Sequence, residues 1–142
     1  MTDLPPSLTP QQMALVQGSL ARALPEASEV AGLFYDRLFA LDPSLRALFL
    51  GDMAAQGRKL VDTLDVFAGD LTRLPALRPA MRRLGQRHAD YGVRPEHYAT
   101  VSEALLWALE QALGEGFTPE VRGAWEAAYA VIAREMLSGT NG

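Results

Sequence analysis

The sequence predicts an all-α protein of six or more helices, on three observations. Cap-plus-proline signals recur at Thr9-Pro10, Asp42-Pro43 and Thr118-Pro119, where a side-chain oxygen precedes a proline that suits the first helical turn. Apolar residues return every three or four positions through most of the chain, the period of a helix that buries one face. No stretch alternates apolar and polar residues as a half-buried strand would, and no heptad seam is long enough for a coiled coil.

Each element follows from these signals. Thr9-Pro10-Gln11-Gln12 forms a capping box, and Met13, Val16 and Leu20 then mark the buried stripe of a first helix. Pro25 is expected to open a second helix, with Val30, Leu33, Phe34 and Leu38 on one face. Asp42-Pro43-Ser44 starts a short helical turn ending at Phe49, and Leu50-Gly51-Asp52 reads as a loop. From about Ala54 to Gly69 a long helix carries Gln56, Leu60, Leu64 and Phe67 on one side. Arg58, Lys59, Asp62 and Asp65 lie mainly on the other, at spacings that allow ion pairs. Leu74-Pro75 is expected to begin the next helix, which reaches His88 and stops at Gly92. Pro95 to Leu113 gives a nearly all-apolar helix, with Tyr98, Val101, Leu105, Leu109 and Ala112 in line, suited to the middle of a domain. Gly114-Glu115-Gly116 breaks it. The last helix places Trp125, Tyr129, Ile132 and Met136 inward, and the ends, 1–7 and 138–142, are expected to fray.

At 142 residues the chain is expected to form one domain, 1–142, large enough to enclose a cofactor. Hydrophobic residues make up 49% and charged residues 21%, which excludes a disordered chain. A net charge of −4 argues against nonspecific nucleic-acid binding, which needs a basic footprint. With no cysteine there is no disulfide, thiolate metal site or thioether-linked haem. The N-terminus is neither basic nor apolar, and no run approaches the length of a membrane span, so a soluble, cytoplasmic chain is expected, as monomer or homodimer.

His88 is the most informative residue, one of two histidines. Met81, Leu84 and His88 share one helical face, so the imidazole is expected among apolar neighbours. Taken alone, such a histidine reads first as a satisfied core residue. Tyr35, Phe49 and Gln56 have equally bland readings as a half-buried tyrosine, a core aromatic and a solvated helix residue. The other histidine, His97, reads as a surface residue near a helix start.

Taken together and in this order, these residues resemble the globin family, in particular the single-domain bacterial globins and the globin half of flavohaemoglobins. Neuroglobin-like segments appear at Leu38-Phe39-Ala40-Leu41-Asp42-Pro43, Leu84-Gly85-Gln86-Arg87-His88, Val101-Ser102-Glu103-Ala104-Leu105-Leu106 and Phe117-Thr118-Pro119-Glu120-Val121-Arg122-Gly123-Ala124-Trp125. The resemblance runs from Leu8 to about Met136. It implies a globin fold of six to eight helices around non-covalent haem b, with His88 as the proximal iron ligand. Phe49 is similar to the phenylalanine wedged against the porphyrin, Tyr35 to the distal tyrosine, Gln56 to the distal glutamine, and Leu60 to the apolar residue above the iron. Leu84 and Val93 are expected against the proximal face of the ring. The Gln56 assignment depends on a gap placed after Phe49.

The chemistry accounts for these residue types. Ferrous haem needs one neutral imidazole whose second nitrogen is fixed by a hydrogen bond, for which the Leu84 carbonyl is the expected acceptor. The opposite side needs apolar cover plus donors for a diatomic ligand of partial negative charge, and a phenol with an amide supplies two. Tyr98 matches a tyrosine that, in flavohaemoglobins, joins a late-helix glutamate around the proximal histidine. Here the glutamate position falls at Thr140, and Glu135 lies more than a turn too early. The resemblance therefore implies reversible binding of dioxygen, and of NO or CO, for storage, transport or scavenging. The alternative is a nitric oxide dioxygenase or peroxidase-like enzyme served by an external reductase. A haem-free sensor module is a third class, against which His88 argues.

Overall fold

The computed structural model describes residues 8–49 and 51–139. Its elements are α1 (Pro10–Ala23), α2 (Ala27–Leu41), α3 (Met53–Ala68), α4 (Arg78–Asp90), α5 (His97–Leu113) and α6 (Pro119–Ser138). Short 3-10 helices at Leu24–Glu26, Pro43–Leu48, Leu71–Leu77 and Gly114–Gly116 connect them, and no strand occurs among the described residues. Residues 1–7, Leu50 and 140–142 lie outside the described residues, and most of the ends expected to fray fall there; of 138–142, Ser138 is the last residue of α6 and Gly139 caps it.

The caps form as their chemistry requires. Thr9 Oγ1 accepts from the Gln12 N–H at 3.0 Å, and Gln12 Oε1 accepts from the Thr9 N–H at 3.0 Å. Asp42, Asp52, Asp70 and Thr118 likewise accept from backbone N–H groups at the starts of their helices. Each such cap contributes about 1 kcal/mol.

Three helix starts differ from the sequence expectation. Leu24–Glu26 is a 3-10 turn, so Pro25 precedes α2 without opening it. Pro75 lies inside the 3-10 segment and α4 begins at Arg78. The second proline, Pro79, explains this: in an α-helix running from Pro75 it would lack the N–H for the Pro75 carbonyl and its ring would crowd that oxygen. Pro95 stands in the turn before α5, which starts at His97. His97, the first residue of α5, is half-buried at the surface, and its Nδ1 accepts from the Arg94 N–H at 3.0 Å. On α3, Arg58, Lys59, Asp62 and Asp65 are exposed as expected, yet no ion pair joins them among the described residues.

α2 lies along α5, while α1 and α4 both lie on α6. Val16, Leu20, Leu38, Leu71, Met81 and Leu109 are among the most deeply buried apolar side chains of the core, and each contributes about 1.5–3 kcal/mol by leaving water. Inside that core the Trp125 Nε1–H donates to Ser19 Oγ at 2.8 Å, and Ser19 in turn donates to the Leu15 carbonyl at 2.7 Å. The α4–α6 crossing requires glycine: a Cβ on Gly85 would stand 1.9 Å from the Met136 carbonyl oxygen, and one on Gly139 would stand 2.4 Å from the Arg82 carbonyl oxygen. This crossing sets the position of the helix that carries His88.

Candidate functional site

α3 packs against α2 and α4 packs against α6, but α3 and α4 do not pack closely on each other. Their apolar faces are correspondingly incomplete. Leu60 and Leu64 on α3, Leu84 and His88 on α4, Val93 beyond its end and Val101 on α5 are all half-buried, although each belongs to the inward stripe of its segment. Side chains on an inward face that remain half-covered suit a flat apolar guest between the two helices.

His88 is arranged to offer one nitrogen. Its Nδ1 lies 2.8 Å from the Leu84 carbonyl oxygen. A carbonyl can only accept, so Nδ1 carries the proton and the Nε2 lone pair is left available. Burial pushes the imidazole below the ordinary histidine value, the Leu84 bond pulls it back up, and the neighbouring Arg87 charge lowers it again. The His88 carbonyl accepts from the Val93 N–H at 2.9 Å, closing the end of α4. Gly92, at φ +98°, makes that turn in a region side chains disfavour, and a Cβ there would stand 3.3 Å from a Leu48 methyl.

On the other side, four rings form one cluster. Tyr35 meets Phe34 edge-on at 4.9 Å and Phe49 edge-on at 5.3 Å, and stacks on Phe39 at 6.0 Å. Phe39 had not been singled out from the sequence; its i, i+4 spacing from Tyr35 was the available signal. The Tyr35 hydroxyl donates to the backbone carbonyl of Gln56 at 3.2 Å, across 21 residues of sequence. The structure thus brings Tyr35, Phe49 and the Gln56 backbone together. Burial pushes the Tyr35 phenol up to about 12, so it stays a donor at any physiological pH.

Tyr98 and Tyr129 form a separate pair. The Tyr129 hydroxyl donates to the Tyr98 carbonyl at 2.7 Å, and burial raises both phenols. The Tyr98 hydroxyl is buried without a hydrogen-bond partner among the described residues. A lone phenol of this kind fits a site that takes a further group. Glu135 does not serve it: its Oε1 accepts from Arg82 Nε at 2.8 Å at the α4–α6 crossing. Thr140, where the sequence comparison placed the missing carboxylate, lies outside the described residues.

The profile of the family described as Globin matches residues 32–136. The chain belongs to the globin family, and its all-α architecture is the globin fold. The flavohemoprotein of Bacillus subtilis (strain 168) is 35% identical over 113 residues, covering 76% of this chain and 28% of that protein. An uncharacterized globin-like protein of Aquifex aeolicus (strain VF5) is 30% identical over 131 residues, 92% of this chain and 93% of its own. Among solved structures, an engineered carbene transferase, described as "putative nitric oxide dioxygenase from Rhodothermus marinus", superposes with a TM-score of 0.85 at 29% identity, covering 95% of this chain and 94% of that one. The chain spans about a quarter to a third of the flavohemoproteins it matches. No described helix is long and apolar enough to cross a membrane.

Proposed function

We propose that this globin holds haem b non-covalently through His88 and binds dioxygen reversibly, along with NO and CO. The observation that carries the reading is the His88–Leu84 bond, which leaves an otherwise unengaged, neutral Nε2 on an inward face. Haem would supply a redox-active iron with one coordination position for a diatomic gas. Phe49, Leu60, Leu84 and Val93 exclude water around the ring, and the unpartnered Tyr98 hydroxyl fits the same side of the fold. Tyr35 offers its O–H to the guest, and the Gln56 amide offers a second donor. A reducing cytoplasm suits a chain without cysteine, and an external reductase would keep the protein ferrous.

Nitric oxide dioxygenase turnover is the second reading, favoured by the names of the flavohemoprotein relatives and of the Rhodothermus neighbour. The Leu84 carbonyl and the capture of Glu135 by Arg82 favour the first: a carbonyl acceptor makes the imidazole a weaker electron donor than a carboxylate would. Absorption spectra of the purified protein, ferric, ferrous and with CO, test the assignment together with His88→Ala. The expected outcome is a haem spectrum that His88→Ala abolishes and added imidazole restores. A variant with unchanged spectra refutes the His88 assignment, and rapid catalytic loss of NO from the oxygenated protein under a reductase supply favours the second reading.

A further inference from the structure

Charge is unevenly distributed along this acidic chain. Between Arg73 and Arg94 lie six of its 13 basic residues and one of its 17 acidic ones, Asp90. That stretch carries +5, and the rest of the chain carries −9. All six arginines are exposed. Arg82 is held by Glu135 at 2.8 Å and Arg94 lies 3.8 Å from Glu96, but Arg73, Arg78, Arg83 and Arg87 form no ion pair among the described residues. Asp90 accepts from Gln86 at 3.0 Å. Arg83 and Arg87 stand one turn apart, where like charges repel and weaken a helix slightly.

Their position is specific. α4 turns Met81 and Gly85 into the core and carries His88 on the half-buried edge of that face, while Arg83 and Arg87 point outward. A helix with its side chains is about 10–12 Å across, so a partner resting on this face comes within roughly that distance of the imidazole. Guanidinium groups match carboxylates in paired hydrogen bonds, and complementary charge steers encounter.

We propose that the outer face of α4, centred on Arg83 and Arg87, docks an acidic electron-donor protein that reduces the haem. This rests on the haem reading above. A second copy of the chain, through its acidic remainder, and an anionic membrane are the competing occupants; proximity to His88 favours the donor.

The ferric holoprotein is the test material, and its haem absorption is recorded first, so that failure of the haem reading shows before any donor is added. Photoreduced flavodoxin, an acidic one-electron carrier, then serves as the donor, and the neutral deazariboflavin radical as a small reductant that needs no docking. Reduction by flavodoxin is expected to slow about tenfold or more as ionic strength rises from about 0.01 to 0.3 M. Arg83→Glu with Arg87→Glu should slow it about tenfold at low salt, and the glutamine pair should fall between. Arg58→Glu with Lys59→Glu, an equal charge change on α3, should stay within about twofold, and deazariboflavin should reduce every variant alike. Equal slowing by both charge-reversed pairs would overturn the proposal, as would absence of a salt effect. It is also overturned if the α4 pair abolishes a dimer in sedimentation, or binding to phosphatidylglycerol vesicles, while flavodoxin reduction is unchanged.

Discussion

Tyr35→Phe removes one hydroxyl and keeps the ring that packs on Phe34 and Phe49. The hydroxyl has one proton, and in the ligand-free fold that proton goes to the Gln56 carbonyl at 3.2 Å. A guest bearing partial negative charge must therefore compete with a neutral carbonyl for the same donor. A neutral hydrogen bond contributes about 1 kcal/mol net, and one to a charged acceptor about 1.5–3 kcal/mol. The difference, about 0.5–2 kcal/mol, is what the guest gains from Tyr35, and it corresponds to roughly two- to thirtyfold in dissociation rate. Stopped-flow displacement of oxygen by CO from the ferrous protein measures it directly. Oxygen release should accelerate within that range, with CO release much less affected because that ligand carries less negative charge. Unchanged oxygen release would refute the distal role of Tyr35 and put the gap after Phe49 in question. Equal acceleration for both gases would mean that packing, and not the hydrogen bond, had been lost.

Gln56→Leu should accelerate oxygen release more weakly in the same assay, because the backbone carbonyl that holds Tyr35 survives the change. Gly85→Ala puts a Cβ 1.9 Å from the Met136 carbonyl oxygen, so backbone must move; a loss of about 2–3 kcal/mol and a Tm lower by about 6–12 °C are expected in thermal unfolding. Trp125→Phe deletes the donor to Ser19 and leaves a small void, for a loss of about 1–3 kcal/mol by urea titration, whereas substitution of exposed Trp-free positions such as Glu126 should stay within about 0.5 kcal/mol. Part of the alkaline stability follows from Tyr35, whose phenol is raised to about 12 against about 10 in the unfolded chain, beside the raised phenols of Tyr98 and Tyr129. The folded state keeps a proton that the unfolded state loses, so stability should be full below about pH 10 and fall as pH rises toward 12, more steeply in wild type than in Tyr35→Phe. Equal alkaline slopes in urea titrations of the two proteins would contradict this.

Helices were legible because their signals are local. Thr9, Asp42 and Thr118 cap within three residues of themselves, and the inward stripes repeat within a turn or two. Starts near Pro25, Pro75 and Pro95 were misplaced by two or three residues, since a proline permits both a 3-10 turn and a first α turn and neighbouring prolines decide between them. The candidate site was legible as residue types: a histidine on an apolar stripe, its Leu84 carbonyl one turn away, Tyr35 on the second helix and Phe49 at the end of the short helix after it. These need only helix geometry and the globin resemblance.

What the sequence by itself determined is therefore the set of helices, their inward faces and the chemical character of His88, Tyr35 and Phe49. Only the tertiary structure decided that Tyr35 gives its proton to Gln56, that Glu135 is taken by Arg82, and that the Tyr98 hydroxyl stands without a partner. It also decided that Trp125 reaches Ser19 across 106 residues and that α4 and α6 cross at Gly85 and Gly139. The reason is one of range. Caps and stripes are set by bonds and periods within a few residues, whereas these partners meet only after separate helices have packed, and no local pattern encodes which donor a distant acceptor will find.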